Sequence, residues 1–244
     1  MFNKYPRKYK THGLVFKISS CSDEWVLNQC LDNYFNDHYN TVIDIGAHYG
    51  AFSLACARDG ANVIAVEASN KNYDILIDSI NRNPSRGRIL PIHACVSNEN
   101  GISSLSFLKD ANSGQNSVLY KEEIALGHYL VANIKLADLC GSLLNNISEI
   151  SCIKMDIEGK EFDVLMAPDN KRILKKVRYL DIDIHRLDNT DYFDVCDIIT
   201  PNELLGYLSE LGFFVMLERR TSGRPTDKEV GDGNFLLKNI NCDG

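Results

Sequence analysis

The stretch "TVIDIGAHYG", residues 41–50, decides the fold of this chain. An apolar run typical of a buried strand contains an acid, Asp44, and ends at the first of two glycines, Gly46 and Gly50. Gly46 permits a sharp exit from the strand, and Gly50 allows the next segment, "AFSLACARDG", to pack closely as a helix. This strand–loop–helix pattern predicts a ligand site at the carboxyl end of a parallel strand.

Strand-like and helix-like segments alternate along the rest of the chain. Buried strands are predicted for the apolar runs "ANVIAVEAS", "GRILPIHACVS", "EISCIKMD" and "KVRYLDIDIH". Two final strands, "FFVMLERR" and "NFLLKNI", are expected to pair antiparallel. The prediction is an α/β fold: a Rossmann-like, doubly wound, mainly parallel sheet with an antiparallel C-terminal edge strand. Residues 1–40 are expected to form an N-terminal extension or lid, and residues 41–244 a single domain.

Composition narrows the classes of partner. A net charge of −7 over 244 residues argues against broad binding to a nucleic-acid backbone, which needs a basic face. No apolar run reaches the roughly 18 residues of a membrane span. The eight cysteines include no CxxC pair, and this pattern favours a location in a reducing compartment. We expect a cytoplasmic protein with a small-molecule substrate and no nucleic-acid or membrane partner, and leave a homo-oligomer open.

The second predicted strand ends at Glu67, where an acid is well placed to accept hydrogen bonds from ribose hydroxyls. The dinucleotide fingerprint G-x-G-x-x-G is absent, and the carboxylate of Asp44 would repel a pyrophosphate. S-adenosylmethionine instead carries a ribose, a sulfonium and an amino group, and its charges match the loop better. The candidate cofactor-binding residues are Asp44, Gly46, Ala47, His48, Gly50, Glu67, Ala68, Cys95 and Asp156.

Three acids follow the fourth strand, in "KMDIEGKE". Asp156 and Glu158 are candidates for a general base, or for binding the hydroxyls of a methyl acceptor, because this strand end lies beside the ligand crevice of a doubly wound sheet. Glu161 fits better an acidic first turn that stabilises a helix N-terminus.

The fifth strand, "YLDIDIH", ends in His185. Asp181 and Asp183 alternate with apolar residues and are expected on one face. A neutral imidazole at this end could take a proton from an acceptor hydroxyl, so His185 joins Asp156 and Glu158 as a catalytic candidate. The same three side chains could bind a divalent metal, but no tight metal spacing is present, and no metal is expected.

Other histidines and two loops complete the set of expectations. His93 is interpreted as buried and His128 as a loop residue. The polar segment 109–130 is predicted to be an active-site or binding loop, and "RRTSGRPTDKEVGDG" a hairpin connection. Tyr120 and Tyr129 could stack on a sugar or simply pack.

Four segments in conserved order resemble the FkbM-type methyltransferases of the class I S-adenosylmethionine-dependent group: "VIDIGAHYG", "VIAVEAS", "IKLADLC" and "IKMDIEGKEFDVL". The similarity spans about residues 40–185. It implies a Rossmann-like methyltransferase that usually acts on a hydroxyl of a sugar or other natural product. Two positions depart from the pattern: His48 stands where Asn is common, and Ala68 where Pro is frequent. An NAD-linked oxidoreductase and a non-catalytic binding module are the alternatives.

Overall fold

The computed structural model describes residues 6–107, 116–117, 119, 126–185, 200–219 and 233–242. Its strands are β1 (Arg7–Thr11), β2 (Leu14–Ile18), β3 (Thr41–Ile45), β4 (Asn62–Glu67), β5 (Ile89–His93), β6 (Cys95–Ser97), β7 (Gly101–Phe107), β8 (Asn116–Ser117), β9 (Gly127–Lys135), β10 (Ile150–Met155), β11 (Val177–Ile184), β12 (Phe213–Arg219) and β13 (Gly233–Asn239). Its helices are α1 (Cys21–Asp32), α2 (Ala51–Arg58), α3 (Asn70–Arg82), α4 (Leu136–Leu144), α5 (Glu161–Leu165), α6 (Lys171–Leu174) and α7 (Pro201–Glu210).

A seven-stranded sheet carries the fold, in the order β12-β13-β11-β10-β3-β4-β5. The five strands from β11 to β5 pair in parallel, whereas β13 pairs antiparallel with both β11 and β12. The predicted mainly parallel sheet is therefore confirmed, with its antiparallel pairing at the C-terminal end. The reversed strand is β13, one position inside the edge, and β12 covers it.

The central strands are buried on both faces, which explains their continuous apolar sequences. Ile153 of β10 lies between Ile43 of β3 and Leu180 of β11, and all three side chains are fully buried. Each such burial stabilises the fold by about 1.5–3 kcal/mol. Because these strands are parallel and in register, their carboxyl ends meet at one edge of the sheet.

The N-terminal segment packs onto this sheet through α2 and α3. Phe16 of the β1–β2 hairpin and Leu27 of α1 are fully buried in a cluster that includes Leu54 of α2. The side chain of Asn83 also accepts from the backbone N–H of Val15 and donates to its carbonyl, both at 2.8 Å. Residues before 41 thus share a core with the sheet helices; their role as a lid stays a prediction.

A second sheet has the order β6-β9-β7-β8. The predicted third strand divides at Ala94 into β5, in the large sheet, and β6, in the small one. Pro91 is tolerated in β5 because that strand is the edge of the seven-stranded sheet, where an N–H can be missing.

Two sequence-based assignments were wrong here. His93 is exposed rather than buried, because it stands at the end of an edge strand. His128 lies in β9 rather than in a loop, opposite Ser106 of β7.

Of the predicted loop 109–130, only residues 116–117, 119 and 126–130 are described, so Tyr120 lies outside the described residues. Residues 220–232 of the predicted C-terminal connection also lie outside them.

In the described ranges, no helix is long and apolar enough to cross a bilayer. None of the cysteines found in those ranges forms a disulfide, as expected for a chain with a large apolar core.

Candidate active site

The loop after β3 is built from left-handed backbone. Gly46, His48 and Gly50 have φ angles of +77°, +52° and +85°. Asn and His are enriched among the non-glycine residues that adopt this region, which explains how His48 can replace Asn. A Cβ on Gly46 would lie 1.9 Å from the carbonyl oxygen of Asp156, and one on Gly50 2.5 Å from Leu76 Cδ1. The two glycines therefore let this loop contact the end of β10 and the helix α3.

Glu67, at the end of β4, closes the other side of the loop. Its carboxylate accepts from the backbone N–H of His48 at 2.7 Å and of Ser69 at 2.8 Å. The side chain is 7% exposed, and burial raises its pKa to about 7 although both hydrogen bonds lower it. Glu67 thus shapes the loop backbone, and its carboxylate also has a hydrogen bond with the side chain of Asn72.

Three charged side chains form a row across the centre of the sheet. Lys154 of β10 is the register partner of Asp44 on β3 and of Asp181 on β11. Oδ2 of the fully buried Asp44 accepts from the Ser53 hydroxyl at 2.6 Å, whereas its buried Oδ1 has no partner among the described residues. Burial raises the pKa of Asp44, and the Lys154 ammonium opposes that shift. An unpaired, buried carboxylate oxygen calls for a ligand donor.

A pocket opens over this row and is covered on one side by α1. Its lining includes Cys30 of α1 and, just after that helix, Asn33 and Tyr34, together with the charged side chains Asp44, Lys154, Asp156, Asp181, Asp183 and Arg219. Four carboxyl groups thus face two cations. An excess of acids favours a cationic ligand over a pyrophosphate.

The predicted cofactor-binding residues divide between this pocket and its surroundings. The pocket is lined by Asp44, Gly46, Ala47, His48 and Asp156. Gly50 ends the loop, and Glu67 accepts from the backbone N–H of His48 within it. Cys95 packs in a small cluster with Ala68 and Tyr129, and burial raises the pKa of its thiol to about 11.

The acids after β10 meet the end of β11. The backbone turns sharply there, since Glu158 and Gly159 have φ angles of +54° and +105°. His185 Nε2 lies 3.9 Å from Asp156 Oδ1 and 3.7 Å from Glu158 Oε2. One ligand atom from each of these three side chains lies within 4.8 Å of the other two. The structure therefore brings the three predicted catalytic residues together.

Glu161 contacts both the turn after β10 and the His185 ring, whereas the sequence indicated only an acidic residue at a helix N-terminus. Its fully buried carboxylate accepts from the backbone N–H of Ile157 at 2.9 Å and of Gly159 at 3.0 Å. Its Oε1 also lies 3.1 Å from Nδ1 of His185. Glu161 therefore holds the turn and orients the imidazole, and its position at the first residue of α5, beside the strand ends, was the available signal.

Electrostatics at this cluster contradict the expectation of a neutral imidazole. Burial lowers the pKa of His185, but the Glu161 and Glu158 carboxylates raise it more, so the pKa lies well above its ordinary value. Burial also raises the pKa of Glu158 to about 8 and that of Asp183 to about 7. For Asp156, the nearby Lys154 and His185 outweigh burial, and its pKa is lowered.

Lys154, Arg219 and Asn234 are among the pocket residues that the sequence did not indicate. Lys154 stands two positions before Asp156 and therefore on the same face of β10, so a lysine within "CIKMD" was a usable signal. Arg219 donates to Asn234 at 2.7 Å and lies 3.4 Å from Asp181. No local pattern pointed to Arg219 and Asn234, because they meet only through the β12–β13 pairing.

Comparison with known proteins gives one family. The sequence profile described as "Methyltransferase FkbM domain" matches residues 44–215. No curated protein matches significantly.

Solved structures with similar folds have low sequence identity. TYW2 of M. jannaschii in complex with AdoMet is 12% identical, with a TM-score of 0.44, and the match covers 98% of this chain and 90% of that one. TrmK of M. capricolum in complex with S-adenosyl-homocysteine is 11% identical, with a TM-score of 0.45 and coverages of 87% and 66%. A protein in the NADB-Rossmann superfamily from Streptococcus agalactiae is 15% identical, with a TM-score of 0.46 and coverages of 87% and 67%.

Proposed function

Because the chain belongs to the FkbM methyltransferase domain family, we propose that it transfers a methyl group from S-adenosylmethionine to a hydroxyl of a sugar or other small natural product. The observation that carries the cofactor assignment is the unpaired oxygen of Asp44. Asp44 is fully buried at the pocket lining, and its Oδ1 has no partner among the described residues. The ammonium group of the cofactor would supply a donor for this oxygen.

The residues around the pocket fit such a cofactor. The acidic excess in the lining suits a molecule with a sulfonium and an ammonium. The loop from Gly46 to Gly50 leaves backbone exposed to the ligand, and Glu67 at the end of β4 would accept from the ribose hydroxyls. When bound, S-adenosylmethionine supplies the electrophilic methyl carbon.

The acceptor belongs on the side of the pocket where β10 and β11 end. Transfer forms a carbon–oxygen bond and breaks the sulfur–carbon bond, whose electron pair stays on sulfur; the hydroxyl proton must leave. Asp156 and Asp183 line the pocket and are the carboxylates placed to receive that proton. Glu158 and His185 lie directly behind Asp156 and would fix it and the acceptor oxygen in line with the methyl group.

The same observations weigh on the alternatives. An NAD-linked oxidoreductase would have to place a pyrophosphate against Asp44 and Asp156, and family membership points instead to methyl transfer. A non-catalytic module would bind the cofactor product without turnover. A small-molecule acceptor, the absence of a nucleic-acid partner, and a cytoplasmic location remain predictions.

Calorimetry with S-adenosylmethionine and S-adenosylhomocysteine tests the cofactor. We expect saturable binding, weakened about 10-fold or more by Asp44→Asn, since a charge-assisted hydrogen bond contributes about 1.5–3 kcal/mol. Asp78→Asn is the matched control, because Asp78 pairs with Arg82 on an exposed face of α3. Binding of NADH, or equal affinity in wild type and Asp44→Asn, would contradict the assignment.

The acceptor class is tested by following formation of S-adenosylhomocysteine with a panel of glycosides, polyhydroxylated small molecules, amines and short RNAs. Turnover with hydroxylated small molecules supports the proposal. Turnover confined to amines or to RNA would replace it, and binding without any turnover would favour the non-catalytic module.

A further inference from the structure

We propose that Asp156, Glu158 and His185 form a binding site for a divalent cation at the acceptor side of the pocket, with Glu161 as the carboxylate that orients the histidine. The sequence predicts no metal here, because it shows no tight metal spacing. Binding of the cation stands independently of the proposed function, whereas its role in methyl transfer rests on that function.

The donor atoms are close enough to share one ion. His185 Nε2 stands 3.7 Å from Glu158 Oε2 and 3.9 Å from Asp156 Oδ1. A cation bonded at about 2.1–2.4 Å keeps neighbouring ligand atoms roughly 3.0–3.4 Å apart. Small side-chain rotations close that difference, and Asp156, with a side chain 37% exposed, has room to make one.

The donor set also identifies the kind of cation. Two carboxylates and one imidazole suit Mg²⁺, Mn²⁺ or another first-row divalent ion better than a soft, thiolate-seeking metal. The three side chains are partly exposed, so water or an acceptor hydroxyl can complete the coordination sphere. This openness is what a catalytic rather than a purely structural site requires.

Glu161 supplies an independent feature of a metal-binding histidine. Such a residue almost always gives its second ring nitrogen to a carboxylate or carbonyl, which fixes the tautomer and aims the ligand nitrogen. Here Nδ1 of His185 meets the fully buried Glu161, which is itself fixed by the backbone N–H groups of Ile157 and Gly159. Nε2 is therefore held toward the two acids.

The backbone also holds Glu158 in position. Its φ of +54° is unusual for glutamate and places its side chain over the strand end. The hydroxyl of Ser117, at the end of β8, donates to the Glu158 carbonyl at 2.8 Å, so the small sheet anchors this turn. A cation held by Asp156 at the pocket lining would polarise the acceptor oxygen and leave Asp183, on the pocket wall, to receive the proton.

The test is a titration of chelator-treated full-length protein with Mn²⁺, without cofactor, followed by the loss of the paramagnetic resonance signal of the free ion. We expect one saturable site per chain. Asp156→Asn should weaken it at least about 10-fold, and Glu161→Gln by about 10–100-fold, the usual effect of losing an outer-shell partner. Asp78→Asn, remote on α3, should leave the affinity unchanged, and thermal unfolding checks that each variant is folded.

Two results would overturn the site: no saturable Mn²⁺ binding below about 1 mM, near the weak limit for oxygen-rich sites, or the same affinity in wild type and Asp156→Asn. If Glu161→Gln does not fold, His185→Gln replaces it in the series. Failure of S-adenosylmethionine to bind by calorimetry would refute the proposed function and leave the Mn²⁺ titration untouched. Methyl transfer that persists in excess chelator would refute the catalytic role of the cation.

Discussion

The turns that follow β3 and β10 share a left-handed backbone conformation but differ in how far their acids are exposed to solvent. Both pass through left-handed conformations, at Gly46 and His48 in the first and at Glu158 and Gly159 in the second. The first turn encloses its acids, since Asp44 is fully buried and Glu67 is 7% exposed. The second leaves its acids open, with side-chain exposures of 37% for Asp156 and 18% for Glu158.

This difference separates recognition from chemistry. Enclosed carboxylates have fixed hydrogen bonds, so the first turn is preorganised for a ligand of defined shape and charge. The carboxylates of Asp156 and Glu158 stay partly exposed, and they share the charge of His185 and, for Asp156, that of Lys154 at 3.5 Å. The second turn is therefore where an acceptor, a proton or a cation can reach these groups. Perturbing the first turn should affect cofactor affinity and stability, whereas perturbing the second should affect turnover.

The largest effect is expected from His185→Ala. Loss of a group that positions the acceptor and its proton should lower kcat by about 10²–10⁴-fold, in line with the usual contribution of acid–base groups. The cofactor Kd should change less than about 3-fold, because His185 does not line the cofactor side of the pocket. Steady-state kinetics and calorimetry measure the two quantities. If His185→Ala keeps the wild-type kcat, the second turn does not control turnover, and the proposed difference between the two turns is wrong.

A large loss of stability is expected from Gly46→Ala. Its Cβ would lie 1.9 Å from the Asp156 carbonyl oxygen, at a φ of +77°. We expect a loss of about 2–4 kcal/mol in the free energy of unfolding, measured with urea. Gly13→Ala is the matched control: its φ is +81°, but nothing lies within 4 Å of the added atom. Gly13→Ala should lower the free energy of unfolding by only about 1 kcal/mol. Equal losses in the two variants would mean that the contact of Gly46 with the Asp156 carbonyl is not tight.

Glu67 makes cofactor affinity depend on pH. Its pKa is raised to about 7 by burial, so the carboxylate proposed to accept from the ribose is protonated as the pH falls through that value. Affinity should therefore decrease by about 10-fold between about pH 8 and pH 6. Glu67→Gln should bind about 10-fold more weakly at pH 8 and show a flat profile. Calorimetry at three pH values tests this, and a slope that survives in Glu67→Gln would assign the titration to another group.

The smallest effect is expected from His48→Asn. Both residues tolerate the φ of +52° observed here, so the free energy of unfolding should change by less than about 1 kcal/mol. His48→Val places a β-branched residue in the same backbone and should lose about 1–2 kcal/mol. Thermal unfolding compares the two. Equal losses of more than about 1 kcal/mol in the two variants would indicate that the ring stacked on Tyr49, at 3.9 Å between centroids, matters more than the backbone, because both variants remove that ring.

Much of the fold was predictable because its signals are local. The buried strands β3, β4, β10 and β11 appear as apolar runs, and each ends at or just before a residue of the candidate site: Gly46, Glu67, Asp156 and His185. Splitting the third predicted strand at Ala94 was not predictable, since β5 and β6 differ only in which sheet they join. The exposure of His93 was not predictable either, since it depends on what packs against a strand; His128 was misassigned because its strand, β9, is set by pairing with the distant β7.

Most residues of the candidate site could be predicted from the sequence, but the distances and contacts between them could not. Asp44, Glu67, Asp156, Glu158 and His185 all stand at strand ends, where parallel strands bring ligands together. Glu161 looked like an ordinary helix-start acid, and Lys154 and Arg219 carried no motif. Their roles come from register and from contacts between distant segments.

The amino-acid sequence by itself determined the alternation of strands and helices and the strand ends that carry acids, because these follow from periodicity and spacing within short segments. The family was indicated by the resemblance of four segments to the FkbM-type methyltransferases and is shown by the match to residues 44–215. Only the tertiary structure decided that Asp44 keeps one oxygen unpaired, that Lys154 stands between two aspartates, and that Glu161 turns His185 toward Asp156 and Glu158. Burial and interatomic distance depend on packing between segments far apart in the chain, and these two quantities set the charge and reach of every group in the site.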